Sequence, residues 1–121
     1  MDRILIFAGT TEGRSLAEYL RAHGIASQVC VATEYGQQLM EEGPLVKLHT
    51  GRLTEPEMEQ LILREKITLV VDATHPYAAE VTENIIKACK SAGAEYLRLL
   101  RGVGNDANMG EGDSESAEND F

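Results

Sequence analysis

Residues 4–14 read Ile4-Leu5-Ile6-Phe7-Ala8-Gly9-Thr10-Thr11-Glu12-Gly13-Arg14. The apolar run closed by Gly9 predicts a strand buried on both faces, because a strand with one wet face would alternate apolar and polar residues. A polar turn follows and leads directly into Leu16, Ala17 and Leu20, which are apolar at helical spacing. Gly9 and Gly13 let the backbone turn sharply and approach a ligand closely, and the helix N-terminus beyond them offers N-H groups and a positive dipole end. That combination suits a phosphate. Gly9 is followed by Thr10 and Thr11, so the G-x-G-x-x-G spacing of the dinucleotide fingerprint is not met. A strand-to-helix turn with no ligand is the competing reading of these residues alone.

Working outward, the helix closes at His23-Gly24, where a left-handed cap is usual and His23 places a cation near a negative helix end. Gln28–Ala32 predicts a second strand ending in Thr33-Glu34-Tyr35-Gly36, and a brief helix through Leu39 and Met40 stops at Gly43-Pro44. Leu45–Leu48 reads as a third strand and runs into Thr50-Gly51-Arg52-Leu53. Thr54-Glu55-Pro56-Glu57 has the form of a capping box, opening a helix that buries Met58, Leu61 and Ile62. Ile67–Val71, the most β-branched run, predicts a central strand. It ends at Asp72-Ala73-Thr74-His75-Pro76-Tyr77-Ala78, with Pro76 placed to begin a helix that continues through Thr82, Ile85 and Cys89. After Gly93, Tyr96–Leu99 alternates as an outer strand does.

Five strands separated by four helices predict an α/β fold: a Rossmann-like open parallel sheet in the order 3-2-1-4-5, with helices on both faces. The switch point then lies between strands 1 and 4, where the Gly9 loop and the Thr74-His75-Pro76 loop face each other across the ligand crevice of such sheets.

All eleven Lys and Arg lie at or before Arg101, with fourteen of the twenty acids. The last twenty residues carry six acids and are dominated by Gly, Asn, Asp, Ser and Glu, with only Val103, Met109 and Phe121 as large apolar residues. The expected organisation is therefore a nucleotide-binding domain over 1–101 and an acidic disordered tail over 102–121. A near-balanced body lacks the basic stripe of a nucleic-acid binder and gives no reason for membrane-surface binding. No signal peptide or transmembrane-length segment is recognisable, so a cytoplasmic location is expected. Cys30 and Cys89, with no CxxC pair or His-rich neighbourhood, read as core residues, and no metal site is expected.

Four loops, Phe7–Arg14, Val31–Gly36, Gly51–Leu53 and above all Asp72–Ala78, closely resemble the precorrin-6A reductase family in the same order over about 100 residues. The resemblance implies an oxidoreductase of corrin (cobalamin) biosynthesis, reducing one double bond of a tetrapyrrole-derived macrocycle by hydride transfer from NADPH or NADH. It implies NADPH for members acting on precorrin-6A and NADH for those acting on cobalt-precorrin-6A. Family members consist of two Rossmann-like halves with the active site between them, and this chain matches the N-terminal half only. A nicotinamide enzyme needs two walls to position cofactor against substrate and exclude water. The isolated chain is thus expected to bind nucleotide at best and to turn over little, with the missing C-terminal half or other corrin-pathway enzymes as partners. After Leu99-Leu100-Arg101 the likeness fades, as in a fragment or a product of a damaged reading frame.

On this reading Gly9, Thr10, Thr11 and Gly13 hold the pyrophosphate, the threonines donating hydroxyls and the glycines N-H groups. Arg14 either caps a phosphate or is a solvated helix residue. Thr33 and Glu34 follow strand 2, where an acid on the ribose 2'-hydroxyl favours NADH. Arg52, after strand 3, instead attracts a 2'-phosphate. Thr74 and His75 press against nucleotide or substrate, His75 otherwise serving as a helix-entry residue bonded to nearby backbone. Tyr77 contacts substrate or staples helix to sheet, and Asp72 orders its own loop. No residue is identified as the catalytic proton donor.

Three other classes compete. A receiver domain shares the strand order but needs acids where Ala8-Gly9 and His49-Thr50 stand. A nucleophilic hydrolase needs a G-x-S-x-G elbow that Ser15 lacks. A non-catalytic nucleotide-binding module derived from the reductase is the stronger rival.

Overall fold

The computed structural model describes residues 3–100. Its elements in chain order are β1 (Ile4–Ala8), α1 (Thr11–Ala22), β2 (Ser27–Val31), α2 (Glu34–Gln38), β3 (Val46–Thr50), α3 (Glu55–Arg64), β4 (Leu69–Ala73), α4 (Ala79–Ala92) and β5 (Glu95–Arg98). The five strands form one parallel sheet in the order β3-β2-β1-β4-β5, as the alternation of elements predicts. The acidic tail expected over 102–121, and the boundary expected after residue 101, lie outside the described residues.

The unbroken apolar run of β1 is explained by what covers it. Leu5 and Phe7 face one way, into a core with Cys30, Val70, Met58 and Ile62 of α3 and Ile85, Ala88 and Cys89 of α4. Ile6 and Ala8 face the other way, with Val29, Val31, Val46, Val71, Ala17 of α1 and Met40. Leu5, Ile6 and Phe7 are all fully buried, at about 1.5–3 kcal/mol of transfer free energy for each such side chain.

Helix ends follow local chemistry. Thr54 and Glu57 close a reciprocal capping box, Thr54 N-H donating to Glu57 Oε1 at 2.8 Å and Glu57 N-H to Thr54 Oγ1 at 3.3 Å. Beyond α1, Gly24 takes φ +74° while its own N-H reaches Arg21 O and that of Ile25 reaches Leu20 O. The end of α3 has the same pair of bonds with Lys66 in the left-handed position at φ 56°, which no glycine announced.

Two boundaries differ from expectation with consequences for the site. The central strand starts two residues late, because Ile67 N-H closes α3 onto Ile62 O and Thr68 pairs with Arg3. Asp72 and Ala73 therefore belong to β4, paired with Phe7 and Ala8, rather than to the loop after it. Helix α4 begins at Ala79, not at Pro76: His75–Ala78 is a turn closed by Ala78 N-H on His75 O at 2.9 Å. Proline suits both the first helical position and the second position of a turn, and the turn wins here. Smaller shifts are that β2 runs Ser27–Val31, β3 extends to Thr50, β5 spans Glu95–Arg98 and α2 ends at Gln38.

Candidate functional site

Every strand is parallel, so the loops after β1, β2, β3 and β4 all emerge at the carboxyl end of the sheet. At the switch point the lips are joined. Ala73 O, the last carbonyl of β4, accepts from Gly9 N-H at 3.1 Å and from Thr10 Oγ1 at 2.9 Å. The hydroxyl proton of Thr10 and the N-H of Gly9, expected on a pyrophosphate, thus go to β4 and fix the shape of the crevice. Thr11 opens α1 and is exposed; Arg14, half-buried, donates its N-H to Thr10 O at 3.4 Å.

Gly13 is buried for a different reason from the one its position first implies. A Cβ there would meet Ala73 Cβ at 2.9 Å and Ala8 Cα and Cβ at 3.0 Å, too close for any side chain. The missing side chain lets the first turn of α1 lie directly against the ends of β1 and β4. Close helix-strand packing of this kind is one of the roles of glycine in dinucleotide folds.

On the β2 side, Thr33 Oγ1 accepts from Gly36 N-H at 3.1 Å and caps α2, and Glu34 beyond it is exposed. Arg52, also exposed, follows Gly51, whose N-H donates to Val31 O at 2.8 Å and keeps the ends of β2 and β3 together. The two residues with opposite nucleotide preference therefore leave adjacent strand ends.

The β4 side contains a buried polar cluster that sequence reasoning saw only in part. Asp72 is 0% exposed. Its Oδ1 accepts from Thr74 N-H at 3.0 Å, Thr74 Oγ1 at 2.7 Å and Arg98 Nη1 at 2.9 Å. Oδ2 accepts from Thr82 Oγ1 at 2.8 Å and from Tyr96 OH at 2.7 Å. Burial, and then the carboxylate it serves, push the Tyr96 phenol above its ordinary range, which keeps it a donor. The part legible in sequence is that Tyr96 and Arg98 are two apart on one strand and so share a face; that they meet Asp72 follows from the register, in which Arg98 is its partner. With five donors on it, this carboxylate orders its loop.

Beyond it, His75 is half-buried and its Nδ1 accepts from Tyr77 N-H at 3.1 Å, so in the neutral ring Nε2 carries the proton. The Tyr77 side chain is 88% exposed, its ring 5.2 Å from that of His75. It does not staple α4 to the sheet. The switch point of the described residues thus presents the N-terminus of α1 and the imidazole of His75, the hydroxyls of Thr10, Thr33 and Thr74 being engaged in holding the loops.

The family model described as precorrin-6x reductase CbiJ/CobK matches residues 3–117. A cobalt-precorrin-6A reductase of Synechocystis sp. is 33% identical over 98 residues, which are 81% of this chain and 38% of that protein. The precorrin-6A reductase of Mycobacterium tuberculosis is 33% identical over 102 residues, 84% of this chain and 40% of the relative. Among solved structures, CobK precorrin-6A reductase superposes with a TM-score of 0.70 at 28% identity, over 82% of this chain and 39% of the other. The chain therefore spans under half the length of the relatives it matches.

Proposed function

We infer the function from one premise: the chain belongs to the precorrin-6x reductase family. On that premise it supplies the nucleotide-binding wall of a nicotinamide-dependent reductase that saturates one double bond of precorrin-6A or cobalt-precorrin-6A in corrin biosynthesis. The observation that carries this reading is the joining of the Gly9 and Thr74 loops at the β1/β4 switch point through Ala73 O, with α1 drawn against it by Gly13.

The residues fit a nicotinamide nucleotide. A side chain at Gly13 would hold the helix N-terminus away from the crevice, and its absence brings that terminus to the place where a pyrophosphate is bound in such folds. The bound nucleotide supplies the hydride. The chain's own part is to hold it: the first turn of α1, from Thr11 to Arg14, takes the pyrophosphate, Thr33 and Glu34 take the ribose, and Thr74 and His75 limit the nicotinamide side. Tyr77, at the rim, meets the macrocycle. Glu34 favours the free 2'-hydroxyl of NADH, and Arg52 on the neighbouring strand end is the group that would instead attract NADPH. The reading takes NADH as preferred.

In a second reading it binds nucleotide without turning over substrate: the hydroxyls at the switch point are spent on holding the loops, Thr10 on Ala73 O and Thr74 on Asp72. A partner carrying the second wall, or another enzyme of the same pathway, then completes the site. Calorimetric titration of NADH and NADPH into the purified chain tests the nucleotide wall, with Thr10→Val as the variant that removes the hydroxyl on Ala73 O. The expected result is NADH binding weakened about tenfold by that substitution. NADPH binding ten times tighter than NADH reverses the assignment of Glu34. Binding of neither nucleotide by folded protein refutes the wall. Substrate-dependent oxidation of the nucleotide by the isolated chain would reject the non-catalytic alternative.

A location in the cytoplasm accords with this role; among the described residues no helix is long and apolar enough to cross a membrane.

A further inference from the structure

We propose that Asp72 is the positioning residue of the crevice, its two carboxylate oxygens doing different jobs: Oδ1 ties the Thr74 loop to Arg98 of β5, and Oδ2 anchors the carboxyl group to Thr82 of α4 and Tyr96 of β5. Its consequence for binding rests on the nucleotide reading above; its consequence for the loop does not.

The asymmetry lies in the donors. Oδ1 receives the Thr74 backbone N-H and the Arg98 guanidinium, groups that can only donate, together with the Thr74 hydroxyl. Oδ2 receives only hydroxyls, from Thr82 and Tyr96, which can rotate to accept. Thr74 itself is 1% exposed and its N-H has no access to water in place of the carboxylate. Arg98 tightens the arrangement by donating also to Asp72 O at 3.1 Å and to Thr74 Oγ1 at 3.2 Å. The first residue of the crevice loop is thus held from two sides by a group that is itself held by the edge strand.

An asparagine can replace such a carboxylate in one orientation. Its amide oxygen takes the place of Oδ1, and its NH2 group donates to hydroxyls that have turned round. Alanine cannot do either. Asp72→Ala is therefore made together with Arg98→Met, so that the half-buried guanidinium is not left without its partner.

The experiment measures amide hydrogen exchange at Thr74 by NMR, and NADH and NADPH affinity by calorimetry, in the wild-type chain, Asp72→Asn and Asp72→Ala/Arg98→Met. Positioning through Oδ1 predicts that Asp72→Asn keeps slow exchange at Thr74 and an affinity within about threefold of wild type, whereas the double variant loses the protection and about tenfold in affinity. A role confined to stability predicts that all folded variants bind alike, and that result overturns the proposal. Should the double variant not fold, Asp72→Asn decides alone: fast exchange at Thr74 in the folded protein refutes positioning, and retained protection supports it. If wild type binds neither nucleotide while the Thr74 amides behave as expected, positioning stands and the nucleotide reading falls.

Discussion

Replacing Gly13 by alanine tests the geometry on which the crevice depends. In an ordinary helix interior the change would stabilise by about 1 kcal/mol, since alanine is the better helix former. Here the added Cβ lands 2.9 Å from Ala73 Cβ and 3.0 Å from Ala8 Cα and Cβ. Carbon atoms in ordinary contact sit at about 3.5–4.0 Å, so each of the three contacts is short by about half an ångström or more. None can be relieved by a side-chain rotation, because the atoms struck are backbone or are fixed rigidly to it in adjacent strands of the central sheet. Helix α1 must lift. Overpacking of this kind costs about 1–3 kcal/mol, and contact with two strands at once puts it near the upper end. Less the gain in propensity, Gly13→Ala should be about 2 kcal/mol less stable. For a domain of this size that lowers the melting temperature by roughly 10 °C. Urea unfolding followed by far-ultraviolet circular dichroism measures it, since the sequence contains no tryptophan. A variant as stable as wild type, or more so, would mean that α1 does not sit against Ala8 and Ala73, and the argument for a helix terminus at the switch point would be lost with it.

Lys66→Gly should stabilise by about 1 kcal/mol, because the left-handed φ of 56° that ends α3 is strained for lysine and free for glycine; an unchanged or lower urea midpoint rejects this. His49 is held below its ordinary value of 6.5, by burial first and by Lys47 next, so the folded state binds its proton less tightly than the unfolded chain. Its contribution is complete above about pH 6.5 and is lost as the pH falls through the lowered value; the fall in midpoint between about pH 8 and pH 5 should be smaller in His49→Gln than in wild type. Burial pushes the thiols of Cys30 and Cys89 up to about 12 and about 11, so iodoacetamide at about pH 8 should modify neither until denaturant is added, as mass spectrometry would report.

The sheet was legible because its signals are local and mutually consistent. An apolar run before Gly9, a capping box at Thr54 and Gly at the ends of α1 and α4 each specify one boundary, and right-handed crossovers then leave little freedom in strand order. What failed to read through was long-range or ambiguous chemistry. Pro76 serves a turn and a helix start equally well, and only the bond from Ala78 N-H to His75 O decides for the turn. Thr10 has a hydroxyl for a phosphate, but Ala73 O, 63 residues away, claims its proton. Gly13 read as a backbone donor, yet it is glycine because two strands leave no room for a methyl group. Asp72 read as a residue ordering its own loop, and its bonds to Tyr96 and Arg98 follow only once β5 is known to lie beside β4 in register.

These particulars assign an unequal share of the site to β4. Its last two residues point to opposite faces of the sheet, as neighbours in a strand must. The carbonyl of Ala73 holds the lip that follows β1, and the side chain of Asp72 holds the lip that follows β4 itself. Both lips are therefore tied to one strand, the β1 lip by hydrogen bonds to the Ala73 carbonyl and the β4 lip by the Asp72 side chain. The arrangement requires β4 to keep its register with β1, Asp72 opposite Phe7 and Ala73 opposite Ala8. A slip of one residue would exchange the two faces and release both lips together. The fully buried Val70 and the nearly buried Val71 just before them oppose that slip, since each fills a different core.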